Sequence, residues 1–449
     1  MNGVRTDSSY FARWAWLPFG CTADVRMVVA DGRFADVQTD VAAEPADERL
    51  PGVVLPGIAN THSHAFQRAL RGRTHGDGGT FWTWREAMYA VAARLEPDNY
   101  LALARAVFAE MVLSGVTCVG EFHYVHHRPD GSPYEDPNAM GQTVIRAAAE
   151  AGLRITLLDT CYLAGGLGPD GHLPLTAEQL RFSDGSASRW ADRVRALADS
   201  DQVRIGAAAH SVRAVPRDQI PVIVDFAAGR ALHVHLSEQQ AENGQCLAVY
   251  GVSPTRLLHD AGALGSSSTA VHATHLDDSD IALLGSTGTS ISVCPTTERD
   301  LADGVGPACR LLDAGAPLTL GSDQHAVIDL LEEARALEMD ERLATSRRGR
   351  FGPRELVRAL THDGHRALGW TDAGRIEPGA RADLVAVALD SVRTAGARPD
   401  QALLAATASD VDTVIVDGRV VVRAGAHLNV DVAAELAAAI QSLWRERSS

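Results

Sequence analysis

Eight short apolar runs, separated by longer amphipathic segments, constrain the fold of this chain more than any other feature of its sequence. Most of the runs contain β-branched residues or leucine and end at turn-forming residues, which is typical of buried strands. They cover residues 53–55, 116–119, 154–158, 203–207, 231–235, 269–272, 290–293 and 318–320. Eight strands that alternate with helices predict an α/β fold with a closed (β/α)8 TIM-like barrel. An open, doubly wound sheet is the alternative, but no G-x-G-x-x-G motif follows any of the runs.

The two chain ends have a different pattern from the middle. The Asp-Gly pairs at 31–32 and 417–418 each lie between β-prone runs, and such pairs are a strong hairpin signal. We therefore predict that residues 1–54 and 376–449 combine into one small β-sandwich domain that includes a C-terminal helix. Residues 55–375 are expected to form the barrel domain.

The charged residues exclude several classes of protein. Lysine is absent, so all 41 basic residues are arginine. The chain therefore has no Schiff-base lysine, no phosphate-loop lysine and no carboxylated lysine that bridges two metals. The formal net charge is −16 and no strongly basic stretch is present, which argues against a nucleic-acid partner.

Cysteine spacing and hydropathy indicate the compartment. The six cysteines lie far apart without a C-x-x-C pair, which is typical of reduced, buried thiols. No uncharged apolar run is long enough to cross a membrane, and the N-terminus lacks the pattern of a signal peptide. We expect a cytoplasmic protein without a membrane partner, and a homodimer as its assembly.

Metal-binding residue types stand at the ends of several predicted strands, where barrels of this kind place their chemistry. His62 and His64 follow the first run and would point the same way on an extended chain. His235 ends the fifth run and Asp323 follows the eighth. Three nitrogens and one oxygen suit Zn²⁺, with Fe²⁺ as the alternative. A cation held by these four residues keeps one position for a water molecule, whose pKa it lowers.

Two further residues are placed to move protons beside such a metal. Glu238, three residues beyond His235, can carry a proton to a leaving nitrogen. His272, at the end of the sixth run, can hydrogen-bond the attacking water and the developing charge. These assignments have structural alternatives. Glu238 is equally compatible with a solvated acid at a helix start, and Asp323 with a helix N-cap.

The sequence defines the roles of several other histidines less well. His233 shares a strand face with His235, and we prefer His235 as the ligand because it lies nearer the strand end. His275 is interpreted as an outward loop residue. The histidines at 123, 126 and 127 are left as loop residues or as outer neighbours of the site, because the four metal positions are already filled. A glycine-rich segment at 74–79 is a candidate lid near the barrel mouth.

Taken together, these residues resemble the amidohydrolase superfamily in its mononuclear deaminase branch. The resemblance rests on H62-x-H64, H235-L-S-E238, H272 and S322-D323. The absence of lysine agrees with it, since the binuclear branch relies on a carboxylated lysine. Longer stretches narrow the resemblance to the formimidoylglutamate deiminase family within that branch. These stretches span residues 55–72, 81–89, 121–127 and 294–304.

The resemblance implies a reaction and assigns residues to it. The reaction is hydrolytic deimination of N-formimino-L-glutamate to N-formyl-L-glutamate and ammonia, a step of histidine degradation. Ligands of the one divalent metal, for which Zn²⁺ is favoured over Fe²⁺, would be His62, His64, His235 and Asp323. Proton-handling groups would be Glu238, His272 and Asp323, with Asp323 taking the proton of the water. Substrate contacts would be Gln67, Arg85, Tyr124, His210 and Arg213.

Two alternatives remain at the level of the sequence. A deaminase of a purine or nucleoside, of the guanine or S-adenosylhomocysteine type, would use the same metal ligands. Such a neutral base does not need two arginines, whereas the two carboxylates of formiminoglutamate suit Arg85 and Arg213. The P-C-x-x-C signature of zinc nucleoside deaminases is absent. A non-catalytic barrel is the other alternative, and it would be expected to have lost at least one ligand.

Overall fold

The computed structural model describes residues 8–76 and 81–444, and its strands fall into a barrel, a chain-end sheet and one small hairpin. The strands of the described residues are β1 (Ser8–Leu17), β2 (Gly20–Ala30), β3 (Arg33–Gln38), β4 (Glu48–Leu50), β5 (Val53–Pro56), β6 (Ile58–Ser63), β7 (Val116–His123), β8 (Arg154–Cys161), β9 (Gly166–Gly168), β10 (Gly171–Leu173), β11 (Val203–Ala209), β12 (Leu232–Leu236), β13 (Ser268–His272), β14 (Ser290–Val293), β15 (Leu318–Leu320), β16 (Leu384–Val387), β17 (Val411–Val416), β18 (Arg419–Arg423) and β19 (Ala426–His427).

Helices separate most of the barrel strands. They are α1 (Phe81–Ala92), α2 (Pro97–Leu113), α3 (Ala139–Ala151), α4 (Ala187–Val194), α5 (Ile220–Phe226), α6 (Gln240–Tyr250), α7 (Pro254–Asp260), α8 (Asp278–Thr287), α9 (Pro295–Asp300), α10 (Ala308–Asp313), α11 (Leu330–Thr345), α12 (Pro353–Leu360), α13 (His362–Ala367) and α14 (Val432–Trp444). Short 3-10 helices cover Ala65–Leu70, Ala177–Phe182, Pro399–Leu404 and Ala408–Asp410. Helix boundaries follow local chemistry. For example, α2 starts with Pro97 after a capping box of Glu96 and Asn99, and α3 ends at Gly152 with φ +82°.

The predicted TIM-like barrel is confirmed. Eight parallel strands pair in the order β6, β7, β8, β11, β12, β13, β14 and β15. A bridge between Ser63 and Asp323 joins the last strand to the first. At this closure the N–H of Asp323 donates to the carbonyl of His62 at 3.0 Å, and the N–H of His64 donates to the carbonyl of Asp323 at 3.1 Å. The closure therefore brings the predicted ligands of the first and last strands side by side.

The prediction that residues 53–55 form the first barrel strand is wrong. They belong to β5, which pairs with β16 in the chain-end sheet, and the first barrel strand is β6. The run is apolar throughout because both of its faces are buried. Val53 and Leu55 pack into the main core, whereas Val54 packs into a second cluster. An apolar run of this length shows that a strand is buried but not which sheet contains it.

The two chain ends combine, as predicted, and their strands form one continuous sheet. Its order is β19, β18, β17, β16, β5, β1, β2 and β3, with β4 beside β1. Both predicted Asp-Gly hairpins are present, and Asp31, Gly32, Asp417 and Gly418 all have the positive φ that a type I′ turn requires.

The chain-end sheet curls back on itself around the second cluster. The N–H of Phe34 in β3 donates to the carbonyl of Ala380, just before β16, at 2.9 Å, and the N–H of Gly379 donates to the carbonyl of Phe34 at 2.8 Å. The division of the chain into two domains stays a prediction. Its segments 1–7 and 445–449 lie outside the described residues, as do residues 77–79 of the candidate lid.

The structure shows the state of the cysteines and whether a described helix could cross a membrane. All six cysteines are free thiols, of which five are buried and Cys21 is half-buried. Among the described residues, none of the helices combines the length and the apolarity that a membrane span requires.

Candidate metal centre

The structure brings the four predicted metal ligands together at one end of the barrel. His62 lies in β6, His64 directly after it, His235 in β12 and Asp323 after β15. One ligand atom from each of these buried side chains lies within 4.8 Å of the others. The Nε2 atoms of His62 and His235 are 3.1 Å apart, and Oδ1 of Asp323 is 3.1 Å from Nε2 of His62.

The hydrogen bonds of two imidazoles fix which nitrogen faces the cluster. Nδ1 of His64 donates to the carbonyl of Phe122 at 3.0 Å, and Nδ1 of His235 donates to the carbonyl of His210 at 2.8 Å. A carbonyl oxygen can only accept, so both Nδ1 atoms carry hydrogen and both Nε2 atoms carry lone pairs. Backbone carbonyls orient metal-binding histidines in this way in known sites.

The charge state of the cluster also suits a cation. Burial lowers the pKa of His62 to about 3 and holds the pKa of His235 well below its ordinary value, so both rings are neutral. Burial alone would raise the pKa of Asp323, but the neighbouring His62 and His272 outweigh it and the pKa falls. Neutral nitrogen donors and one carboxylate that face a common point match the preferences of Zn²⁺.

His272 lies beside the four-residue cluster and is held by acids on both sides. Its Nε2 is 3.7 Å from Oδ2 of Asp323 and 3.9 Å from Oε1 of Glu238. Its Nδ1 is 3.3 Å from Oε1 of Glu298. Burial alone would lower the pKa of His272, but Glu238, Glu298 and Asp323 outweigh it and raise the pKa to about 10.

Three residues at or next to the site have a left-handed backbone conformation. His272 has φ +68° and Asp323 has φ +43°, and Ser237, next to Glu238, has φ +49°. Residues other than glycine rarely adopt such angles, and they persist where the surrounding structure fixes them. The turns after three barrel strands therefore aim their side chains by means of strained backbone.

A cavity of about 390 Å³ opens onto the cluster. Predicted substrate contacts and metal-site residues line it together: Gln67, Arg85, Tyr124, His210, Arg213, Glu238 and His272. Nε2 of Gln67 donates to the hydroxyl of Tyr124 at 2.9 Å, while Oε1 of Gln67 is buried without a protein partner. Burial keeps the pKa of His210 well below its ordinary value, so this ring is neutral.

The two arginines of the cavity wall differ in their partners. Nε of Arg85 donates to the hydroxyl of Tyr89 at 2.8 Å, and its guanidinium lies over the Tyr89 ring. Nε of Arg213 donates to Oε2 of Glu242 at 2.6 Å, and its Nη2 is 3.5 Å from Oε2 of Glu238. Glu242 also accepts the N–H of Ser237 at 2.9 Å. Arg213 is therefore held in place by a buried carboxylate before any substrate binds.

Sequence reasoning missed three acids that organise the site. Glu242 accepts a hydrogen bond from Arg213 and orients it, and Oε1 of Glu298 contacts Nδ1 of His272. Glu121, at the end of β7, accepts the hydroxyl of Ser63 at 2.5 Å and the N–H of Ala65 at 2.7 Å. Burial raises the pKa of Glu121 to about 8. Glu121 and Glu298 lie within stretches that carried the family resemblance, which was the signal available for them.

The remaining histidines lie outside the four-residue cluster. Nε2 of His233 is 3.2 Å from the carbonyl of Ala367, and His275 is half-buried. His126 contacts the carbonyl of Thr160, and His127 contacts Asp184. His123 is buried, and its ring packs edge-on against that of His126.

Comparison with known proteins assigns the chain to a family. Residues 53–421 match the model described as "Amidohydrolase family", and residues 8–50 match the one described as "Formimidoylglutamate deiminase HutF, N-terminal domain". The chain belongs to the amidohydrolase family. It is 38% identical over 440 residues to a formimidoylglutamate deiminase of Pseudomonas aeruginosa. The aligned residues cover 94% of this chain and 96% of that protein.

Other relatives have different printed activities or show the fold. An 8-oxoguanine deaminase of Pseudomonas aeruginosa is 30% identical over 440 residues, covering 93% of this chain and 94% of the relative. The crystal structure of an amidohydrolase from Brucella melitensis is 32% identical with a TM-score of 0.91, over 98% of this chain and all of that one. An adenosine deaminase from Xanthomonas campestris with bound zinc is 24% identical with a TM-score of 0.82, over 97% of both chains, and shows the same fold.

Proposed function

We propose that this chain hydrolyses N-formimino-L-glutamate to N-formyl-L-glutamate and ammonia in histidine degradation. The observation that carries the proposal is the relation to the formimidoylglutamate deiminase, which extends over almost the whole length of both proteins. The separate match of residues 8–50 to the N-terminal domain of such enzymes supports it. The substrate has two carboxylates, and two arginines, Arg85 and Arg213, stand on the wall of the cavity next to the four-residue cluster.

The proposed cofactor is one divalent metal ion per chain, with Zn²⁺ favoured over Fe²⁺. His62, His64, His235 and Asp323 would hold it, and the fit rests on the converging lone pairs and the carboxylate described above. When bound, such an ion supplies a water molecule that loses a proton near neutral pH.

Three side chains would manage the protons of the reaction. Asp323, held ionised, lines the cavity and would accept the proton of the attacking water through Oδ2, the oxygen that faces His272. His272 donates a hydrogen bond to that water and to the charge that develops as it adds to the formimino carbon. Glu238, within 3.9 Å of His272, carries to the leaving nitrogen a proton that comes from the attacking water, so that both protons of this water end on the ammonia. Cleavage of the carbon–nitrogen bond then releases ammonia and leaves the formyl product.

The two carboxylates of the substrate would be bound by the arginines of the cavity wall. A guanidinium group stays charged at every physiological pH and can bind a carboxylate through two parallel hydrogen bonds. Gln67 offers a buried amide oxygen without a protein partner, which suits an N–H of the cationic formimino group. Neutral His210 and the hydroxyl of Tyr124 complete the polar wall of the cavity.

Ammonia release tests this proposal directly. The purified protein is assayed with formiminoglutamate, guanine, 8-oxoguanine and S-adenosylhomocysteine, before and after treatment with a chelator. We expect rapid ammonia release from formiminoglutamate alone, loss of activity with the chelator and recovery on adding Zn²⁺. Turnover of a purine without formiminoglutamate would overturn the proposed substrate. Failure of every substrate with the metal-loaded protein would favour the non-catalytic alternative.

The compartment, the oligomeric state and the lack of a nucleic-acid partner are part of the same proposal. We propose that it acts in the cytoplasm as a homodimer without a nucleic-acid partner. Five buried free thiols and the excess of acidic residues support a reducing compartment and a small-molecule role. Light scattering of the purified protein tests the dimer, and a monomeric mass would contradict it.

A further inference from the structure

We infer that the active site contains a second divalent metal site, formed by His272, Cys294 and Asp323, whose occupation inhibits the enzyme. This inference rests on the proposed function, because the second site shares Asp323 with the catalytic metal. The three side chains are buried, and one ligand atom from each lies within 4.8 Å of the others. Nothing in the proposed reaction uses Cys294.

The two oxygens of Asp323 face different partners, as in a carboxylate that bridges two ions. Oδ1 is 3.1 Å from Nε2 of His62 and 3.4 Å from Nε2 of His64, which are ligands of the first metal. Oδ2 faces Nε2 of His272 at 3.7 Å. One carboxylate can therefore serve the first ion through Oδ1 and a second ion through Oδ2.

His272 is oriented as a metal ligand would be. Its Nδ1 contacts Oε1 of Glu298 at 3.3 Å, which leaves Nε2 directed towards Asp323. A carboxylate that holds the far nitrogen of an imidazole is a common feature of zinc-binding histidines. Glu298 is itself fixed, since Oε1 also accepts the N–H of Cys294 at 2.9 Å.

Cys294 supplies the third ligand from the end of β14. Its Sγ lies 4.0 Å from the carbonyl of Ser292, a long and weak contact for a thiol. A Cβ atom added at Gly321 would lie 3.0 Å from Sγ of Cys294 and 2.7 Å from Cβ of His62. The thiol is therefore next to the strand that carries the first ligand. Nitrogen, sulfur and carboxylate oxygen together favour Zn²⁺ and the more thiophilic Cd²⁺.

Occupation of this site would remove two groups from catalysis. On coordination the thiol of Cys294 and Nε2 of His272 each lose one proton to solvent, and Sγ of Cys294, Nε2 of His272 and Oδ2 of Asp323 become ligands. His272 can then no longer donate a hydrogen bond, and Asp323 can no longer accept the proton of the attacking water. The second site has three protein ligands against four in the first, so it fills after the first and requires excess metal.

Cadmium binding tests the site without relying on activity. The metal-free protein is titrated with Cd²⁺, with the stoichiometry measured by equilibrium dialysis and the cadmium–thiolate charge-transfer absorption recorded in parallel. We expect two ions per chain in the native protein, with the absorption band appearing only with the second. Cys294→Ala and the more conservative Cys294→Ser should bind one ion and lack the band. Cys309→Ala, which removes a buried thiol outside the cluster, should behave as the native protein does.

Inhibition by excess Zn²⁺ is the functional counterpart. We expect ammonia release from formiminoglutamate to fall at high Zn²⁺, and Cys294→Ser to need about 100-fold more Zn²⁺ for the same inhibition, since even outer partners of a metal contribute about 10–100-fold to affinity. An active enzyme that binds one Cd²⁺ without a thiolate band would overturn the second site and leave the proposed function intact. Two bound ions with the band, in a protein inactive on formiminoglutamate, would support the site and overturn the function.

Discussion

The backbone N–H of Asp323 donates a hydrogen bond to the carbonyl oxygen of His62, with 3.0 Å between nitrogen and oxygen. His64, directly after the first barrel strand, donates its own N–H to the carbonyl of Asp323 at 3.1 Å. These two bonds close the barrel between β6 and the residues after β15. Three of the four proposed metal ligands thus lie at the closure itself, so the four-residue cluster forms only when the barrel closes.

Replacement of His272 by alanine should abolish most turnover while the fold and the metal persist. We expect kcat to fall by about 10²–10⁴-fold, the usual contribution of a positioned proton-transfer group. The catalytic metal should stay bound, because His272 is not among its four proposed ligands. Steady-state kinetics and metal analysis check both points. His275→Ala, three residues further along the chain, is the control and should keep near-native kcat. A near-native kcat for His272→Ala would remove this residue from the mechanism.

Replacement of Glu242 by glutamine should weaken substrate binding more than it slows the reaction. The variant keeps an acceptor for the N–H of Ser237 but loses the charged partner of Arg213. We expect KM for formiminoglutamate to rise about tenfold with a smaller change in kcat, because hydrogen bonds to charged groups contribute about 1.5–3 kcal/mol. Arg213→Met should raise KM further. Glu435→Gln, which breaks a half-buried ion pair with Arg105, is the matched control. An unchanged KM in Arg213→Met would argue against a carboxylate contact there.

Replacement of Glu121 by glutamine should change how stability depends on pH. Burial raises the pKa of Glu121 from 4.5 to about 8, so the folded protein holds a proton that the unfolded chain releases at lower pH. Stability from this group is fully present below about pH 4.5 and is lost as pH rises through about 8. Glutamine mimics the protonated acid and cannot ionise.

The free energy of unfolding measured across this pH range tests the prediction for Glu121. It should fall less steeply with rising pH in Glu121→Gln than in the native protein, with both proteins loaded with the same metal. Because metal binding has its own pH dependence in both proteins, the difference between them isolates Glu121. Parallel curves would show that Glu121 is already ionised in the folded protein.

Replacement of Gly418 by alanine should destabilise the chain-end sheet without changing the chemistry of the site. Gly418 has φ +74°, and an added Cβ would lie 2.8 Å from Cγ1 of Val29. Gly229→Ala is the control, because Gly229 has φ +77° but open space around it. Both variants lose about 1 kcal/mol to the backbone conformation, and Gly418→Ala loses more to the steric contact. Urea unfolding gives the difference. Equal stability of the two variants would contradict the steric part of this prediction.

The sequence predicted the barrel well because its strands are buried on both faces and read as apolar runs. The sequence did not indicate, however, to which of the two sheets each apolar run belongs. The run at 53–55 has the composition of a barrel strand, yet it lies in the chain-end sheet, because Val54 faces one core while Val53 and Leu55 face the other. Periodicity reports burial, whereas the choice of sheet depends on long-range pairing with β16, which no local pattern reveals.

The clustering of His62, His64, His235 and Asp323 was predictable, because residues at the ends of barrel strands share one rim, whatever the helices between them do. The acids that support it were not. Glu242 and Glu298 stand near helix starts, where acids are common for electrostatic reasons. Their contacts to Arg213 and His272 span 26 to 29 residues and depend on how helices pack around the barrel. The stretch at 294–304, which carried part of the family resemblance, contained Glu298 but gave no physical reason to single it out.

The placement of β5 has a practical consequence for anyone who wishes to dissect this enzyme. Its side chains alternate between two hydrophobic interiors, and a single residue, Gly57, separates it from the strand that carries His62. An excised barrel would expose apolar side chains at the point where the strand that carries His62 begins. The chain-end sheet is therefore inseparable from the barrel, and minimal versions of the enzyme should be sought by trimming loops rather than by cutting at the ends.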